Sequence, residues 1–241
     1  MTDFWLNRTE LLIKENGIES LQNAKILIVG LGGVGSFAAE FLARAGIGNM
    51  TIADGDVVDI TNINRQLPAL HSTIGKYKVE LIGYRLMDIN PKLNLSKINE
   101  FLEPERMEEL IRPEKFDYVL DCIDSLTPKL ALIKTCRQRK IKVISCMGAG
   151  GKTDPSKVLV RDLYKTNNCL LAKQVRKRLK KDGITKGFRC VFSTELQDEN
   201  SLKMTDGSNF KKSFYGTISF IPALFGLYAA AEVINFLTGR K

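Results

Sequence analysis

The chain has 241 residues, 44% of them apolar, and a formal net charge of +9. The apolar fraction is ordinary for a globular protein, which argues against a disordered chain and allows one large α/β domain or two small ones. The positive charge implies attraction to polyanions, with nucleic acid as the leading partner and an unspecialised basic protein as the alternative.

The first 24 residues predict a helical arm, with one or two short helices over Phe4–Leu21. Apolar runs and helical patterns then alternate, which predicts a parallel sheet with right-handed crossovers and helices on both faces. This is a Rossmann-like doubly wound α/β fold, with a nucleotide-binding core over residues 25–150. The predicted strands and helices are, in chain order, Lys25–Val29, Gly33–Ala45, Met50–Ala53, Lys76–Asn90, Leu95–Ile98, Glu105–Ile111, Tyr118–Asp121, Pro128–Arg139 and Val143–Cys146.

Residues 148–151 are Gly-Ala-Gly-Gly, which breaks regular structure and marks a change of organisation. We expect residues 151–241 to form a C-terminal extension, partly antiparallel, of a single domain 1–241. The predicted elements are a strand at Lys157–Arg161, a basic helix at Leu170–Lys181, a strand at Phe188–Thr194, a mobile polar loop at Gln197–Lys212 and a buried apolar helix at Ile218–Ala231.

Several features favour a cytoplasmic protein without integral membrane association. The apolar segment near the C-terminus is shorter than the roughly 20 residues that span a bilayer, contains Pro222 and runs into Glu232. The N-terminus has no charged segment followed by an apolar one. The five cysteines are widely spaced and form no Cys-x-x-Cys pair, so reduced thiols are expected rather than a zinc ribbon or a disulfide framework. His71 has no second candidate metal ligand nearby.

A glycine-rich loop, Gly30–Ser36, directly follows the first predicted strand. The backbone N–H groups of such a loop, together with the N-terminus of the helix that follows it, commonly bind phosphates. Asp54 ends the second strand, 24 residues beyond Gly30, at the distance expected for a contact to a ribose hydroxyl. Flavin, nicotinamide and adenylate enzymes share this fingerprint, so it predicts a nucleotide without choosing among them.

The segment Asn62–Gln66 favours an enzyme that breaks a phosphoanhydride. Arg65 can grip a phosphate with two parallel hydrogen bonds, and Lys78 at a helix start could reach the same phosphates. Asp124 could hold Mg²⁺ through its carboxylate. Surface salt bridges are the alternative for the two cations, and a helix N-cap is the alternative for Asp124 or Ser125. The candidate nucleotide-binding residues are Gly30, Gly32, Gly33, Gly35, Asp54, Asn62, Asn64, Arg65, Gln66 and Lys78.

In combination, these motifs resemble the bacterial relatives of ubiquitin-activating enzymes, the E1-like superfamily of the ThiF and MoeB type. Within it, the chain is most similar to the branch of tRNA threonylcarbamoyladenosine dehydratases, over about residues 5–238. The segments that carry the resemblance are Arg8–Leu12, Gly30–Ser36, Asp54, Asn62–Gln66, Lys78, Asp121–Ser125, Gly148–Pro155, Asp162–Thr166 and Val191–Glu195.

The resemblance implies the E1-like adenylation fold and a homodimer that uses ATP and Mg²⁺. The carboxylate of a threonylcarbamoyl group on adenosine 37 of tRNA would be activated by ATP and attacked from within the same modification, with net loss of water. Gly32 and its neighbours would line the nucleotide and Asp54 would hold the ribose. Arg65 and Lys78 would hold the phosphates, and Asp124 would bind Mg²⁺.

The resemblance also implies that Arg8 enters the partner subunit's site and stabilises charge on the phosphates. The predicted basic helix is the candidate tRNA contact, because Leu171, Val175 and Leu179 recur every four residues and would face the protein. A solvated helix face is the alternative. The candidate tRNA-binding residues are Lys173, Arg176, Lys177, Arg178, Lys180 and Lys181.

Other functions stay open at this point. One is an adenylyltransferase that activates the C-terminal Gly-Gly of a ubiquitin-like sulfur-carrier protein; it would favour a cysteine nucleophile, yet neither Cys169 nor Cys190 has the surroundings of an activated thiol. A nucleotide-sensing module and a nicotinamide dehydrogenase are further alternatives. The sequence also leaves open a monovalent cation, a sulfur-transfer partner and whether ATP yields AMP or ADP.

Overall fold

A seven-stranded sheet organises the protein in the computed structural model, which describes residues 4–204 and 213–240. Its strands are β1 Lys25–Val29, β2 Asn49–Ala53, β3 Asn94–Ile98, β4 Tyr118–Asp121, β5 Lys142–Cys146, β6 Val158–Asp162 and β7 Arg189–Ser193. The strand order is β3-β2-β1-β4-β5-β7-β6, and every neighbouring pair is parallel except β6 with β7. This confirms the predicted doubly wound, mainly parallel sheet with an antiparallel extension.

Helices cover both faces of this sheet. The bounds of α2 to α6 and of the seven strands differ from the predicted ones by at most two residues. The predicted N-terminal arm is a 3₁₀ turn, Phe4–Leu6, followed by a helix that is interrupted at Lys14, where φ is 66°. The helices are α1 Asn7–Asn23, α2 Gly35–Arg44, α3 Lys78–Ile89, α4 Pro104–Leu110, α5 Leu126–Gln138, α6 Leu170–Lys181 and α7 Phe220–Leu237.

Two apolar clusters form the core, one on each face of the sheet. Side chains alternate along a strand, so Ile26 and Ile28 of β1 belong to one cluster and Leu27 and Val29 to the other. Helices α1, α2, α3 and α7 pack on the first face, and α4, α5 and α6 pack on the second. A strand that is buried on both faces appears in the sequence as an unbroken run of apolar residues. Because β1 is such a strand, its bounds could be predicted from the sequence.

Helix α7 is the predicted buried apolar helix, and it continues to Leu237. By length and composition it could cross a membrane, but Phe225 and Ala229 on one face are fully buried, as in a core helix. It extends through Glu232 because that carboxylate pairs with Arg189 of β7, with 2.7 Å between Nε and Oε1.

The predicted mobile loop Gln197–Lys212 is partly wrong. Its first half forms a 3₁₀ turn, Glu199–Ser201, and a strand, β8 Leu202–Met204, which pairs antiparallel with β9 Ser213–Tyr215. Three exposed residues supply too short an alternating pattern to mark a strand in the sequence. Residues 205–212 lie outside the described part of the chain.

Candidate nucleotide-binding site

The site lies where the strand order of the sheet reverses. From β1 the chain builds outward to β2 and β3, whereas from β4 it builds in the opposite direction to β5. Ligands of doubly wound sheets bind in the crevice outside the carboxyl ends of the strands at this point. The glycine loop follows β1 and the segment 122–125 follows β4, so the two flank the crevice.

The glycine loop is tight because two of its glycines leave no room for a side chain. Gly30 has φ of +91°, in the left-handed region that favours glycine. A Cβ on Gly35 would lie 1.8 Å from the carbonyl oxygen of Gly30. At Gly32 the nearest atom to an added Cβ is the Nε2 of Gln66, at 3.7 Å. The loop therefore has space at Gly32, where a bound group could approach the backbone.

Asp54 holds the glycine loop in place. Its Oδ2 accepts a 2.6 Å hydrogen bond from the Leu31 amide and its Oδ1 accepts a 2.8 Å bond from the Asp56 amide. Burial raises the pKa of Asp54, and the Lys78 ammonium and these two amides act in the opposite direction. Asp54 is thus a half-buried carboxylate whose charge depends on its neighbours.

Lys78 lies against the same corner. It begins α3, as predicted, and its Nζ lies 2.8 Å from Oδ2 of Asp56. The Lys78 side chain is only 5% exposed, so this is not a solvated surface pair, although Asp56 itself is half exposed. The buried end of this lysine is thus paired with Asp56 and interacts electrostatically with Asp54.

Arg65 and Asp124 lie close enough to interact electrostatically. The Arg65 Nη1 donates 2.8 Å hydrogen bonds to the Thr61 carbonyl and to Oδ1 of Asn64. Burial lowers the pKa of Arg65, and the nearby Asp124 carboxylate acts in the opposite direction. Asp124 is exposed, and the residue that caps α5 is Ser125, whose side chain makes no capping hydrogen bond. The predicted N-cap alternative therefore does not account for Asp124.

Of the remaining polar residues in the 62–66 segment, Asn62 and Asn64 hydrogen-bond to neighbouring backbone groups, whereas Gln66 has a buried acceptor atom that could serve a ligand. Asn62 is buried, and its Oδ1 accepts from the Asp59 amide at the start of a 3₁₀ turn. Asn64 donates from Nδ2 to the Thr217 carbonyl at 2.8 Å. Within the described residues, the Oε1 of Gln66 is buried without a hydrogen-bond partner, beside the open Gly32. An orphaned buried acceptor at this place fits a site completed by a bound group that donates to it.

Two sets of predicted site residues lie apart from the crevice. Arg8 is exposed on α1, and within residues 4–204 and 213–240 no hydrogen bond or ion pair joins it to the crevice. On α6, Val175 and Leu179 are buried and Leu171 is half-buried, as expected for the face toward the protein. The exposed cations of this helix are Lys173, Lys177, Arg178, Lys180 and Lys181.

Arg176 differs from these five cations, and the prediction that it faces outward needs correction. Its Nη1 donates to the Thr166 carbonyl at 3.0 Å, to the Thr166 hydroxyl and to the Leu163 carbonyl at 3.4 Å. The guanidinium reaches back over its own helix, because the turn that ends at Thr166 offers it three oxygen acceptors.

A buried ion pair that was not predicted from the sequence lies at the end of β4. Nζ of Lys129 lies 2.7 Å from Oδ2 of Asp121, and both side chains are fully buried. The same ammonium donates to the Ser145 hydroxyl and to the Cys146 carbonyl at 2.9 Å. A lysine on the apolar face of a helix, eight residues after a strand-ending aspartate, was the available signal.

The five cysteines are free thiols, as expected. Cys169 and Cys190 are buried, and burial raises the pKa of the Cys190 thiol. Burial likewise raises the pKa of Cys136 to about 12. These are the properties of structural thiols rather than of activated nucleophiles.

A doubly wound sheet with a glycine loop, an acidic residue and fixed cations at its switch point defines a nucleotide-binding protein of the Rossmann-like class. The chain matches the ThiF family over residues 6–241 and belongs to that family. It is 40% identical to the tRNA threonylcarbamoyladenosine dehydratase of Bacillus subtilis (strain 168), over 95% of this chain and 92% of that protein. The corresponding protein of Escherichia coli (strain K12) is 37% identical, over 100% and 97% of the two chains.

Crystal structures agree with these relationships. The E. coli dehydratase in complex with ATP superposes with a TM-score of 0.88 and 37% identity, over 99% of this chain and 96% of that one. This confirms the E1-like adenylation fold. By contrast, the molybdopterin-synthase adenylyltransferase of Haemophilus influenzae is 40% identical over only 54% of this chain and 53% of that protein.

Proposed function

We propose that this protein is an ATP-dependent tRNA threonylcarbamoyladenosine dehydratase. The observation that carries the proposal is the crevice formed by the glycine loop, Asp54, Arg65, Lys78 and Asp124, in a chain similar over its whole length to dehydratases of that name. One of those relatives was crystallised with ATP and, separately, with AMP. The activity is dehydration of the threonylcarbamoyl group at position 37 of tRNA.

The arrangement of charges suits activation of a carboxylate. A carboxylate oxygen forms a bond to the γ- or α-phosphorus atom of ATP while the bond from that phosphorus to the leaving ADP or pyrophosphate breaks, giving a mixed anhydride. A nucleophile tethered within the same modification then attacks the carbonyl carbon and expels phosphate or AMP, respectively. In this proposal Arg65 and Lys78 neutralise charge on the phosphates, and Asp54 accepts a hydrogen bond from the ribose.

Mg²⁺ fits this crevice through few protein ligands. Among the described residues there is no cluster of three or more His, Cys, Asp or Glu side chains that could hold a metal. Mg²⁺ is commonly held by one or two carboxylates together with the phosphates of the substrate, so Asp124 could hold it with ATP. Bound there, the ion would neutralise charge on the phosphates.

A homodimer is supported by the surface of the N-terminal arm. Phe4, Leu11 and Leu12 are 89%, 76% and 64% exposed, an unusual concentration of apolar surface on one short segment. Arg8 lies among them in the sequence and is itself exposed. A second copy of the chain that covers this surface would bring Arg8 toward the partner's crevice.

Mixed dimers test that arrangement directly. Arg8→Ala and Arg65→Ala subunits should each be inactive as homodimers, and mixing them should restore about a quarter to a half of the activity, because one site then carries both arginines. The oligomeric state is measured by sedimentation. A monomeric wild type, or no recovery on mixing although subunits exchange, would contradict the trans role of Arg8.

The five exposed cations of α6 are proposed to contact the tRNA backbone. Val175 and Leu179 are buried on the other side of the helix, so its charged side presents the five cations to solvent. Such contacts position an RNA without reading its sequence. We also infer a single domain and a cytoplasmic location, where tRNA substrates are found.

The activity test uses purified protein with ATP, Mg²⁺ and tRNA that carries threonylcarbamoyladenosine, with nucleosides then measured by mass. We expect loss of one water from the modified nucleoside, dependent on ATP. Arg65→Ala and Asp124→Asn should lose at least about 100-fold in rate while remaining folded. Unchanged nucleosides under conditions where ATP binds would refute the proposal.

The same assay separates the alternatives. Pyrophosphate exchange that depends on a protein ending in Gly-Gly, and not on tRNA, would indicate a sulfur-carrier adenylyltransferase instead. Runs with and without K⁺, and with and without a sulfur-transfer protein, test whether a monovalent cation or such a partner contributes. Analysis of the nucleotide product shows whether AMP or ADP forms.

A further inference from the structure

A cavity of about 610 Å³ lies beside the nucleotide crevice, and no role has been assigned to it so far. Its size is within the range of small-molecule pockets, about 300–1,000 Å³. The lining comes from four segments of the chain that are distant in sequence. They are Asn64, residues 151–153, residues 195–201 and residues 216–219.

Asn64 is the wall that the cavity shares with the crevice. On the crevice side its Oδ1 accepts from Nη1 of Arg65, and its Nδ2 donates to the carbonyl of Thr217 in the cavity lining, both at 2.8 Å. The two spaces are therefore neighbours. The crevice lies beyond the end of β4, whereas the cavity is lined by the segments that follow β5 and β7. Neighbouring strands lie about 4.8 Å apart, so the ends of β4 and β7, with β5 between them, are within about 10 Å of each other.

Backbone hydrogen bonds hold the cavity lining together. The Gly151 amide donates to the Gly216 carbonyl at 2.7 Å, and the Asp198 amide donates to the Gly151 carbonyl at 2.9 Å. Gly151 has φ of +70°, so the chain turns there in a conformation that other residues rarely adopt. Segments more than 40 residues apart are thus joined at one point, which fixes the shape of the cavity.

Lys152 and Glu195 form a reciprocal clasp in this lining. The Lys152 ammonium donates to the Glu195 carbonyl and to the Ser193 carbonyl at 3.5 Å. In return, the Glu195 carboxylate accepts from the Thr153 amide at 3.0 Å and from the Asp154 amide at 2.9 Å. Burial acts to raise the pKa of Glu195, but these amide hydrogen bonds outweigh it and lower the pKa. The carboxylate is therefore ionised and engaged.

Lys152 is the basic residue of the described lining, and it is only 2% exposed. Burial lowers its pKa, and Cys169 and the Glu195 carboxylate act in the opposite direction. An ammonium has three N–H donors, and the described contacts use two of them on carbonyls. The second carboxylate of the lining, Asp198, accepts from the Asn200 amide at 3.0 Å. In this lining the carboxylates of Glu195 and Asp198 already accept hydrogen bonds, and the buried Lys152 ammonium has an N–H left to donate. This combination suits a polar ligand that has amide, hydroxyl and carbonyl groups.

We propose that this cavity holds the threonylcarbamoyl group of the modified nucleotide, with Lys152 donating to its carbamoyl oxygen while the carboxylate extends past Asn64 toward Arg65. This rests on the proposed function. It makes Lys152 a substrate-recognising residue, and it makes Glu195 a positioning residue that holds the 152–154 segment. The tethered nucleophile and the carboxylate are then held beside each other and close to the phosphates.

The test compares the binding of tRNA with and without the threonylcarbamoyl group, together with KM values for tRNA and ATP. Wild type should bind the modified tRNA more tightly. Lys152→Met should lose about tenfold of that preference and raise the KM for modified tRNA by a similar factor, as expected for an unmade hydrogen bond to a buried group. The affinity for unmodified tRNA and the KM for ATP should stay within about twofold of wild type. Lys157→Met is the matched control, because Lys157 is half exposed and lies outside the cavity lining.

A second variant covers the case in which Lys152→Met destabilises the clasp. Ser219 is exposed at the edge of the cavity, so Ser219→Phe should fill the space without disturbing the core. It should raise the KM for modified tRNA at least about tenfold, with ATP binding unchanged. Full modified-tRNA preference in both variants, or equal losses for modified tRNA, unmodified tRNA and ATP, would overturn the inference. A wild type that binds ATP but never dehydrates the nucleoside would instead refute the proposed function.

Discussion

The buried pair of Lys129 and Asp121 gives a prediction with an internal control. Two lysines of α5 each lie 2.7 Å from an aspartate: Lys129 with Asp121, both fully buried, and Lys134 with Asp182, exposed by 36% and 43%. Helix, residue type and distance match, so burial is the main difference between the two pairs.

Lys129→Met leaves the Asp121 carboxylate in the core without its cation, and the Ser145 hydroxyl and the Ile123 amide as its remaining hydrogen-bond donors. Removing one partner of a buried ion pair costs about 3–5 kcal/mol of unfolding free energy. Lys134→Met removes a pair that water screens, and should cost about 0.2–1 kcal/mol. Burial raises the pKa of Asp121 and Lys129 opposes this, so the carboxyl should take up a proton at a higher pH in the variant than in the wild type.

Urea unfolding followed by circular dichroism measures both free energies, with the m-value as the check that the unfolding transition itself has not changed. The double variant Asp121→Asn, Lys129→Met should be more stable than the sum of the two single effects, because no unpaired charge remains. Equal effects of Lys129→Met and Lys134→Met, or strictly additive effects in the double variant, would refute the reasoning.

Three further results are expected. Nucleotide affinity is measured by calorimetry from pH 8 to pH 5. It should fall at a higher pH than it would with an aspartate of ordinary pKa, because burial raises the pKa of Asp54 and the protonated carboxyl loses a hydrogen-bond acceptor. The Asp54→Asn variant should bind the nucleotide weakly, with an affinity that does not change over this pH range. Gly35→Ala should destabilise the fold by about 3 kcal/mol or more in urea unfolding, because its Cβ would lie 1.8 Å from a carbonyl oxygen, whereas Gly32→Ala should keep wild-type stability and lose nucleotide affinity. Lys177→Gln with Arg178→Gln should lower the slope of log affinity for tRNA against log salt by about 1.5, and an unchanged slope would mean that α6 does not contact the RNA.

The centre of the sheet was predictable because β1, β2, β4 and β5 are buried along nearly their whole length and so appear as short apolar runs between helical patterns. β1 and β4 were predicted with their observed bounds. The sequence did not reveal that β7 lies between β5 and β6, since chain order does not fix strand order at the edge of a sheet. It also missed β8, whose three residues are all exposed and therefore carry no burial pattern.

The residues of the crevice were predictable where they directly follow a strand in the sequence. The glycine loop and Asp54 follow strand ends, and a strand end can be read from the sequence. The clasp of Lys152 and Glu195 joins residues 43 positions apart through backbone carbonyls and amides, and such contacts leave no pattern in either segment. Arg176 shows the opposite error: the charge pattern of α6 places it outside, but a nearby turn supplies carbonyl acceptors that hold it.

The burial of the cysteines bears on how an activated carboxyl would be used. A thioester route needs a thiolate at the surface of the site, whereas Cys169 and Cys190 are buried, and burial raises the pKa of Cys190. A nucleophile that is already tethered to the carboxyl needs no such relay, because its effective concentration is high once the chain between them is held in the right geometry. The demand on the protein is then for a shaped space beside the phosphates rather than for a reactive side chain. We propose that the cavity beside Asn64, whose lining segments are joined by backbone hydrogen bonds, meets that demand.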